Sequence, residues 1–266
     1  MPDAAAETNP GAPAMEMIDV AISSLQDTEQ IVLEGINWRV AVGDYWAIGG
    51  LHASGKSDLL ATAVGIMRPV RGRYRVFGQE LGAGFEEDLL ATRLRLGLVF
   101  EGGRLFHHLS VAENIALPLC YHRNRTVAEA AEQVQALLEL TALDLWADKA
   151  PGELRRNWQQ RTGLARALAL EPDVLLLDNP LTGLDPREAF WWLNLLDHLA
   201  TGHPILGRRP MTLVVAADDL RPWRQRARQF AMLKNKEFIN LGTRATLTTH
   251  DESLLHELLG TTAPKL

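Results

Sequence analysis

The segment that begins at Gly50 has the residue types and the spacing of a phosphate-binding loop. The pattern G-x-x-x-x-G-K-S ends at Lys56 and Ser57. In such a loop backbone N–H groups hold phosphate oxygens, the lysine reaches the terminal phosphates and the serine hydroxyl binds Mg²⁺. A chance match in a glycine turn is the alternative, but an apolar strand pattern precedes this loop and an apolar helix pattern follows it. The predicted phosphate-binding residues are Gly50, Leu51, His52, Ala53, Ser54, Gly55, Lys56, Ser57 and Asp58.

A second candidate site lies where an apolar run ends in a carboxylate. Residues 174–177 predict a short buried strand, and Asp178 follows directly. A carboxylate at this place in a phosphate-binding fold holds the shell of ligands around Mg²⁺. The pattern is weak by itself and takes its value from its position downstream of the loop. Ser57 and Asp178 are therefore the predicted Mg²⁺-binding residues.

The elements that must position these residues alternate between strands and helices, which favours an α/β fold with a largely parallel sheet covered on both faces. Residues 102–160 contain helix patterns, including a capping box from Thr126 to Glu129, and no strand pattern, which indicates a helical insertion. Around the site, the sequence predicts strands at 45–48, 96–100, 174–177 and 211–215 and helices at 59–67, 162–170 and 187–200.

Composition excludes several classes of protein. The chain has 266 residues, a formal net charge of −6 and a single cysteine, Cys120. This charge gives no basic footprint for nucleic acid, and one cysteine cannot form an internal disulfide, which fits a reducing compartment. Residues 1–15 predict a disordered tail. No apolar run approaches the roughly 20 residues of a membrane span, so we expect any membrane association to be peripheral.

The order of these motifs resembles that of the ATP-binding-cassette (ABC) ATPases over residues 16–245. The loop at 50–57 is followed by Leu98-Val-Phe100, by the run ARALALEPDVLLLD and by a Gly-Leu-Asp-Pro turn containing Asp185. The resemblance implies a P-loop NTPase fold, in which a RecA-like parallel sheet carries an antiparallel β flank and an inserted helical subdomain at about 102–160. It implies one domain over 16–266, ATP and Mg²⁺ as ligands, and Asp185 as the D-loop residue.

Within that family, two segments are similar to the ATPase subunit of lipid transporters of the MCE, or maintenance-of-lipid-asymmetry, type. They are residues 98–119, LVF-x-GG-x-LF-x-x-LSVAENIALPL, and residues 227–247. This resemblance implies a transmembrane permease, a second ABC ATPase subunit and an MCE-type lipid-binding protein as partners. It also implies a cytoplasmic location, peripheral on the inner face of the cell membrane.

Several positions depart from the family pattern. Asn179 stands where the family has the glutamate that polarises the attacking water, and an amide cannot accept a proton. Asp218 stands at the switch histidine, where it would repel a γ-phosphate. Glu101 replaces the Q-loop glutamine. No aromatic residue for adenine stacking occurs in residues 25–30.

The remaining departures lie in the signature and the loop. The small residues of the LSGGQ signature let backbone amides approach a partner's γ-phosphate. Here a bulky, basic set replaces them, which would either block that approach or replace it with a different contact. In the loop, Ala53 replaces a glycine at a position that requires φ > 0 if the backbone is kept, and Asp58 replaces a threonine near the α-phosphate. The signature-equivalent residues are Leu154, Arg155, Arg156, Asn157, Trp158 and Gln159.

These departures together predict a nucleotide-binding fold that has lost most of its hydrolysis and acts as a structural or regulatory transporter subunit. The sequence alone leaves residual hydrolysis open, because another residue can cover a single lost role. One alternative is an active ATPase in which Arg155 or Arg156 serves as an arginine finger toward a partner's γ-phosphate. The other is a soluble scaffold that uses the fold outside transport.

Overall fold

A computed structural model describes residues 12–81, 86–247 and 253–260, without the side chains of 86–88. A disordered tail is predicted at residues 1–15, and residues 1–11 of it lie outside the described range. Ala14 is buried and Met15 begins a strand, so these two residues belong to the folded part. The ten strands, β1 to β10 in chain order, are Met15–Ser23, Ile31–Val40, Tyr45–Gly50, Arg71–Val76, Gln79–Glu80, Leu96–Val99, Val174–Asp178, Thr212–Ala217, Gln229–Lys234 and Glu237–Thr243.

Helices connect the strands of the described chain and form the insertion. None of these helices is both long and apolar enough to cross a bilayer. Helices α1 to α8, in chain order, are Lys56–Ala63, Glu86–Arg93, Val111–His122, Val127–Thr141, Arg156–Leu168, Pro186–Thr201, Arg244–Leu247 and Ser253–Leu258.

One sheet joins all ten strands in the order β5-β4-β1-β2-β10-β9-β3-β8-β7-β6. The strands from β9 to β6 run parallel, whereas β1, β2, β4 and β5 pair antiparallel at the opposite side. The prediction of a parallel core with an antiparallel flank is therefore confirmed. Carboxyl ends of parallel strands share one edge of a sheet, so the segments that follow β3, β6, β7 and β8 meet there.

The central strands are buried on both faces, which explains their continuous apolar sequences. Along β3, Tyr45 and Ala47 pack into the core beneath the helical subdomain, whereas Trp46 and Ile48 pack into the core shared with α1 and the antiparallel flank. Successive side chains of a strand point to opposite faces. The sheet thus separates two hydrophobic cores and holds the loop after β3 from both sides.

The inserted helices α3 and α4 begin at capping boxes. Ser110 accepts a hydrogen bond from the Glu113 N–H, and Thr126 accepts one from the Glu129 N–H. The capping box at Thr126 is the one that the sequence predicts. The Glu113 carboxylate accepts from the Ser110 N–H in return, which lowers its pKa. Both helix starts are therefore fixed by local bonds.

Two predicted helices differ from the structure at both ends. The helix predicted at 59–67 spans Lys56–Ala63, because Gly55 takes φ = 93° and starts the helix directly after the loop. The helix predicted at 162–170 begins at Arg156, so most of the signature-equivalent segment is helical. Apolar periodicity detects the buried end of each helix and misses the first turn, where polar residues face the site.

A close crossing of backbones fixes the helical subdomain against the sheet edge. Gly103, in the loop after β6, takes φ = 81°, and a Cβ atom there would lie 2.4 Å from the Gln159 carbonyl oxygen of α5. Its neighbour Gly102 takes φ = 71°, and a Cβ atom on Gly102 would have nothing within 4 Å. The loop and α5 therefore touch backbone to backbone at Gly103, where the Arg166 guanidinium also donates to the Gly103 carbonyl oxygen.

We expect Gly103→Ala to destabilise the protein more than Gly102→Ala. Both variants carry the left-handed backbone cost of about 1–2 kcal/mol, and overpacking against backbone adds about 1–3 kcal/mol at Gly103 only. Urea unfolding of the two variants measures the difference. Equal midpoints would show that α5 and this loop are not in contact.

Candidate nucleotide-binding site

The phosphate loop lies between β3 and α1, as the sequence predicts. Ala53 takes φ = 59°, the left-handed conformation expected at the altered glycine position, and Gly55 takes φ = 93°. A Cβ atom on Gly50 would lie 2.4 Å from the Ser54 hydroxyl oxygen. The loop therefore keeps its backbone shape with an alanine in place, and the first N–H groups of α1 face an anion site.

Lys56 is buried in this loop, with 5% of its side chain exposed. Its ammonium donates to the carbonyl oxygens of Gly50 and Leu51, each at 2.8 Å. A third contact, at 2.7 Å, joins it to the Asp218 carboxylate. An ammonium has three donor hydrogens, so every donor of the phosphate-binding lysine already has a protein partner.

The two predicted Mg²⁺-binding residues come together. The Ser57 hydroxyl donates to one Asp178 carboxylate oxygen at 2.6 Å. The other oxygen, Oδ1, is buried without a hydrogen-bond partner, and burial raises the pKa of Asp178 while the bond from Ser57 opposes that rise. Hydroxyl and carboxylate oxygens suit Mg²⁺, which takes few protein ligands beside phosphates and water. An orphaned buried oxygen beside a hydroxyl therefore fits a Mg²⁺ ion bound with a nucleotide.

Asn179, at the position of the family's water-polarising glutamate, lies directly after β7 with φ = 45°. Its side-chain oxygen accepts from the Asp218 N–H at 3.0 Å, and its amide nitrogen lies 3.3 Å from the Asp218 carboxylate. The same nitrogen lies 3.4 Å from the Glu101 carboxylate. Asn179 thus donates to two carboxylates and accepts one backbone bond, a combination that a carboxylate cannot supply.

Glu101 connects this site to the signature-equivalent segment. Its second carboxylate oxygen forms an ion pair with Arg156 of the same chain. Arg156 is the first residue of α5, and Arg155 before it is exposed at the helix start. The structure therefore commits one of the two predicted arginines to Glu101 and leaves the other at the surface.

Other signature-equivalent residues serve packing. Leu154 is buried, and Gln159 donates to the carbonyl oxygens of Pro151 and Leu154. Trp158 stacks against Trp146 with ring centroids 5.5 Å apart. Partly buried Asn157 completes the first turn of α5. The last four residues of the signature-equivalent segment thus form the start of α5.

Arg161, which sequence reasoning did not single out, ties this helix to α6. It is buried, forms an ion pair with Glu188 at 2.6 Å and lies 3.5 Å above the Trp191 ring. The first turns of α5 read Arg-Asn-Trp-Gln-Gln-Arg, so no apolar pattern marked Arg161 as buried. A buried arginine needs a partner, which Glu188 supplies. Arg161 therefore joins the subdomain to the helix that follows Asp178.

Asp58 and Asp185 have local roles in the structure. The Asp58 carboxylate accepts from the Leu25 N–H at 2.6 Å, within the segment at 25–30 that lacks an adenine-stacking aromatic. The predicted D-loop residue Asp185 caps α6 by accepting from the N–H groups of Arg187 and Glu188. A carboxylate repels a nearby phosphate, and the bond from the Leu25 N–H partly compensates the negative charge of Asp58. His52, in the same loop, is exposed.

Comparison with known proteins agrees with this geometry. The family profile described as ABC transporter matches residues 33–182. The chain is 29% identical over 229 residues to the "Probable ribonucleotide transport ATP-binding protein mkl" of Mycobacterium leprae, with 86% of this chain and 64% of that protein covered. It is 32% identical over 244 residues to the methionine import ATP-binding protein MetN 2 of Paraburkholderia xenovorans, with 90% and 61% covered. The chain thus spans less than two thirds of the length of these relatives.

A similar solved structure is the dimeric, post-hydrolysis state of an ATP-binding cassette bound to ADP and Pi. The TM-score is 0.73 at 26% identity, with 84% of this chain and 95% of that chain covered. The family profile covers more than half of the 266 residues, and it contains the phosphate loop, Glu101, the signature-equivalent segment, Asp178 and Asn179. This chain therefore belongs to the ABC transporter family and has the fold of an ATP-binding cassette.

Proposed function

We propose that this chain is the ATP-binding-cassette subunit of a membrane transporter, and that its own site binds nucleotide with Mg²⁺ without hydrolysing it. One observation carries the loss of hydrolysis. The residue beside Asp178 is an amide, Asn179, and both of its side-chain groups are engaged with Asp218 and Glu101. The backbone of the loop, Ser57 and Asp178 would hold the Mg²⁺-bound phosphates.

ATP supplies a phosphoanhydride bond, and its hydrolysis needs a proton acceptor beside the attacking water. Two carboxylates lie near Asn179, but each is bound by a cation. Asp218 contacts Lys56, and Glu101 contacts Arg156. Both carboxylates beside Asn179 are thus engaged in ion pairs, and we propose that neither serves as the proton acceptor.

The assembly follows from the family. Its members act as head-to-tail pairs in which each site combines one chain's loop with the other chain's signature. In a homodimer of this chain both sites lack the base. In a heterodimer with an intact subunit, one site lacks it and the other faces Arg155 at the start of α5. We propose such a pair, with a second ABC ATPase subunit, on a transmembrane permease at the cytoplasmic face of the membrane.

We further propose a lipid cargo and an MCE-type lipid-binding protein in the same system. The segments at 98–119 and 227–247 support this proposal through their resemblance to MCE-type subunits. The relatives are named for ribonucleotide transport and methionine import, so their names do not agree on one cargo. Purification of the complex from membranes, followed by mass spectrometry of its lipids and subunits, tests the cargo and the partners together. Recovery of a soluble chain without a permease would favour the scaffold alternative.

Phosphate release tests the loss of hydrolysis. We expect release from Mg²⁺-ATP by the purified chain to equal that of Lys56→Ala, because loss of a general base alone removes about 10²–10⁴ in rate. Release that exceeds the Lys56→Ala background would contradict the proposal. In the complex with a second subunit, a large loss on Arg155→Ala would favour the alternative of an arginine finger.

Restoring a carboxylate at position 179 tests the electrostatics of the site. We expect Asn179→Glu to be less stable at pH 7.5 than Asn179→Gln by about 1–3 kcal/mol, because it adds a third negative charge between Asp218 and Glu101. Both variants carry the same backbone change at φ = 45°.

The pH dependence of this difference in stability tests whether charge causes it. Like charges raise the folded-state pKa of the new glutamate, so the penalty exists above that pKa and disappears as pH falls below the unfolded value, about 4.3. Urea unfolding at pH 7.5 and near pH 4.5 measures it. A gap between the variants that stays constant with pH would show that charge is not its cause.

A further inference from the structure

The Asp218 carboxylate contacts the lysine donor that serves a terminal phosphate. We propose that Asp218 is a built-in substitute for that phosphate, which makes the site select nucleoside diphosphates over triphosphates. The inference rests on the proposed binding of nucleotide at this loop, and it names the ligand class that the loop accepts.

All three donor hydrogens of Lys56 already have protein partners, so a terminal phosphate must displace one of them. Two of its three contacts go to main-chain carbonyl oxygens, of Gly50 and Leu51, which belong to the loop itself. The third contact, to Asp218 at 2.7 Å, is the one made to a separate segment of the chain. In a phosphate loop the backbone holds the α- and β-phosphates and the lysine reaches the β- and γ-phosphates. Asp218 competes for the lysine and leaves the backbone donors in place, so it weakens binding of the γ-phosphate more than that of the β-phosphate, which the backbone also holds.

Asn179 holds Asp218 in this position. The Asn179 side chain accepts from the Asp218 N–H at 3.0 Å and donates toward its carboxylate at 3.3 Å. Asn179 is itself fixed by a bond from its N–H to the Ala216 carbonyl oxygen of β8. The two departures from the family pattern, at 179 and 218, thus form one arrangement. Asn179 positions Asp218, and Asp218 competes with a terminal phosphate for Lys56.

The charges around Lys56 act in the same direction. Asp218 contacts the lysine, and Asp178 interacts electrostatically with both Lys56 and Glu101. A triphosphate adds more negative charge to this group than a diphosphate does. The Asp218 side chain is 42% exposed, so solvent moderates its repulsion. Selection of the diphosphate is therefore a matter of relative affinity, and a high concentration of triphosphate overcomes it.

Nucleotide binding to three proteins tests the proposal. Fluorescence anisotropy of N-methylanthraniloyl-ADP and N-methylanthraniloyl-ATP, with Mg²⁺ at fixed concentration, gives Kd for the wild type, Asp218→Asn and Asp219→Asn. Asp219 is the matched control, because it is the next residue, carries the same charge and pairs with Arg221 at the surface.

We expect the wild type to bind the diphosphate more tightly than the triphosphate. Asp218→Asn should lower Kd for the triphosphate by about tenfold or more, with a smaller effect on the diphosphate, because it removes one negative charge next to Lys56. Asp219→Asn should leave the ratio of the two Kd values unchanged.

The outcomes separate this proposal from the proposed function. A ratio of Kd values that is the same in the wild type and Asp218→Asn overturns the selection of diphosphate and leaves nucleotide binding in place. A ratio that Asp219→Asn shifts as much as Asp218→Asn does also overturns it, because net charge is then the cause. Binding of neither nucleotide by any of the three proteins overturns both. Phosphate release by the wild type would overturn the loss of hydrolysis alone.

Discussion

The ion pair between Lys56 and Asp218 is the interaction on which the rest of the site depends. An ammonium with 5% of its side chain exposed needs partners for its charge, because an unpaired buried charge costs several kcal/mol. In a phosphate loop that carries nucleotide, the ligand supplies the negative charge. Here the chain itself places a carboxylate, that of Asp218, against the buried lysine.

Sheet topology makes this arrangement reachable. Lys56 follows β3, Glu101 follows β6, Asn179 follows β7 and Asp218 follows β8, and these four strands are parallel neighbours. Their carboxyl ends share one edge, so short loops bring Lys56 to Asp218, Asp218 to Asn179 and Asn179 to Glu101. The residues then depend on each other. The neutral amide of Asn179 is compatible with two carboxylates beside it, and those carboxylates are compatible with each other because Lys56 and Arg156 each neutralise one.

Sequence patterns predict the fold and the parts of the site that depend on backbone geometry. Buried parallel strands have continuous apolar runs, and the G-x-x-x-x-G-K-S pattern places the loop between β3 and α1, including the positive φ of Ala53. The partners of charged side chains were not predictable in this way. The sequence shows that Asp218 and Asp58 carry negative charge, but the nearest donor of each is found only when distant strand ends and loops are brought together. Asp218 meets Lys56, and Asp58 meets the Leu25 N–H.

Helix α5 extends the same network away from the loop. Its first residue, Arg156, pairs with Glu101, its backbone touches Gly103, and Arg161 joins it to Glu188 of α6. Two of these three contacts go to the loop that begins at Glu101, whose carboxylate also lies near Asn179. A group that displaces Asp218 alters the hydrogen bonding of Asn179, and Asn179 shares its amide with Glu101. Adjacent polar contacts therefore form a continuous path from Lys56 through Asp218, Asn179 and Glu101 to the start of α5.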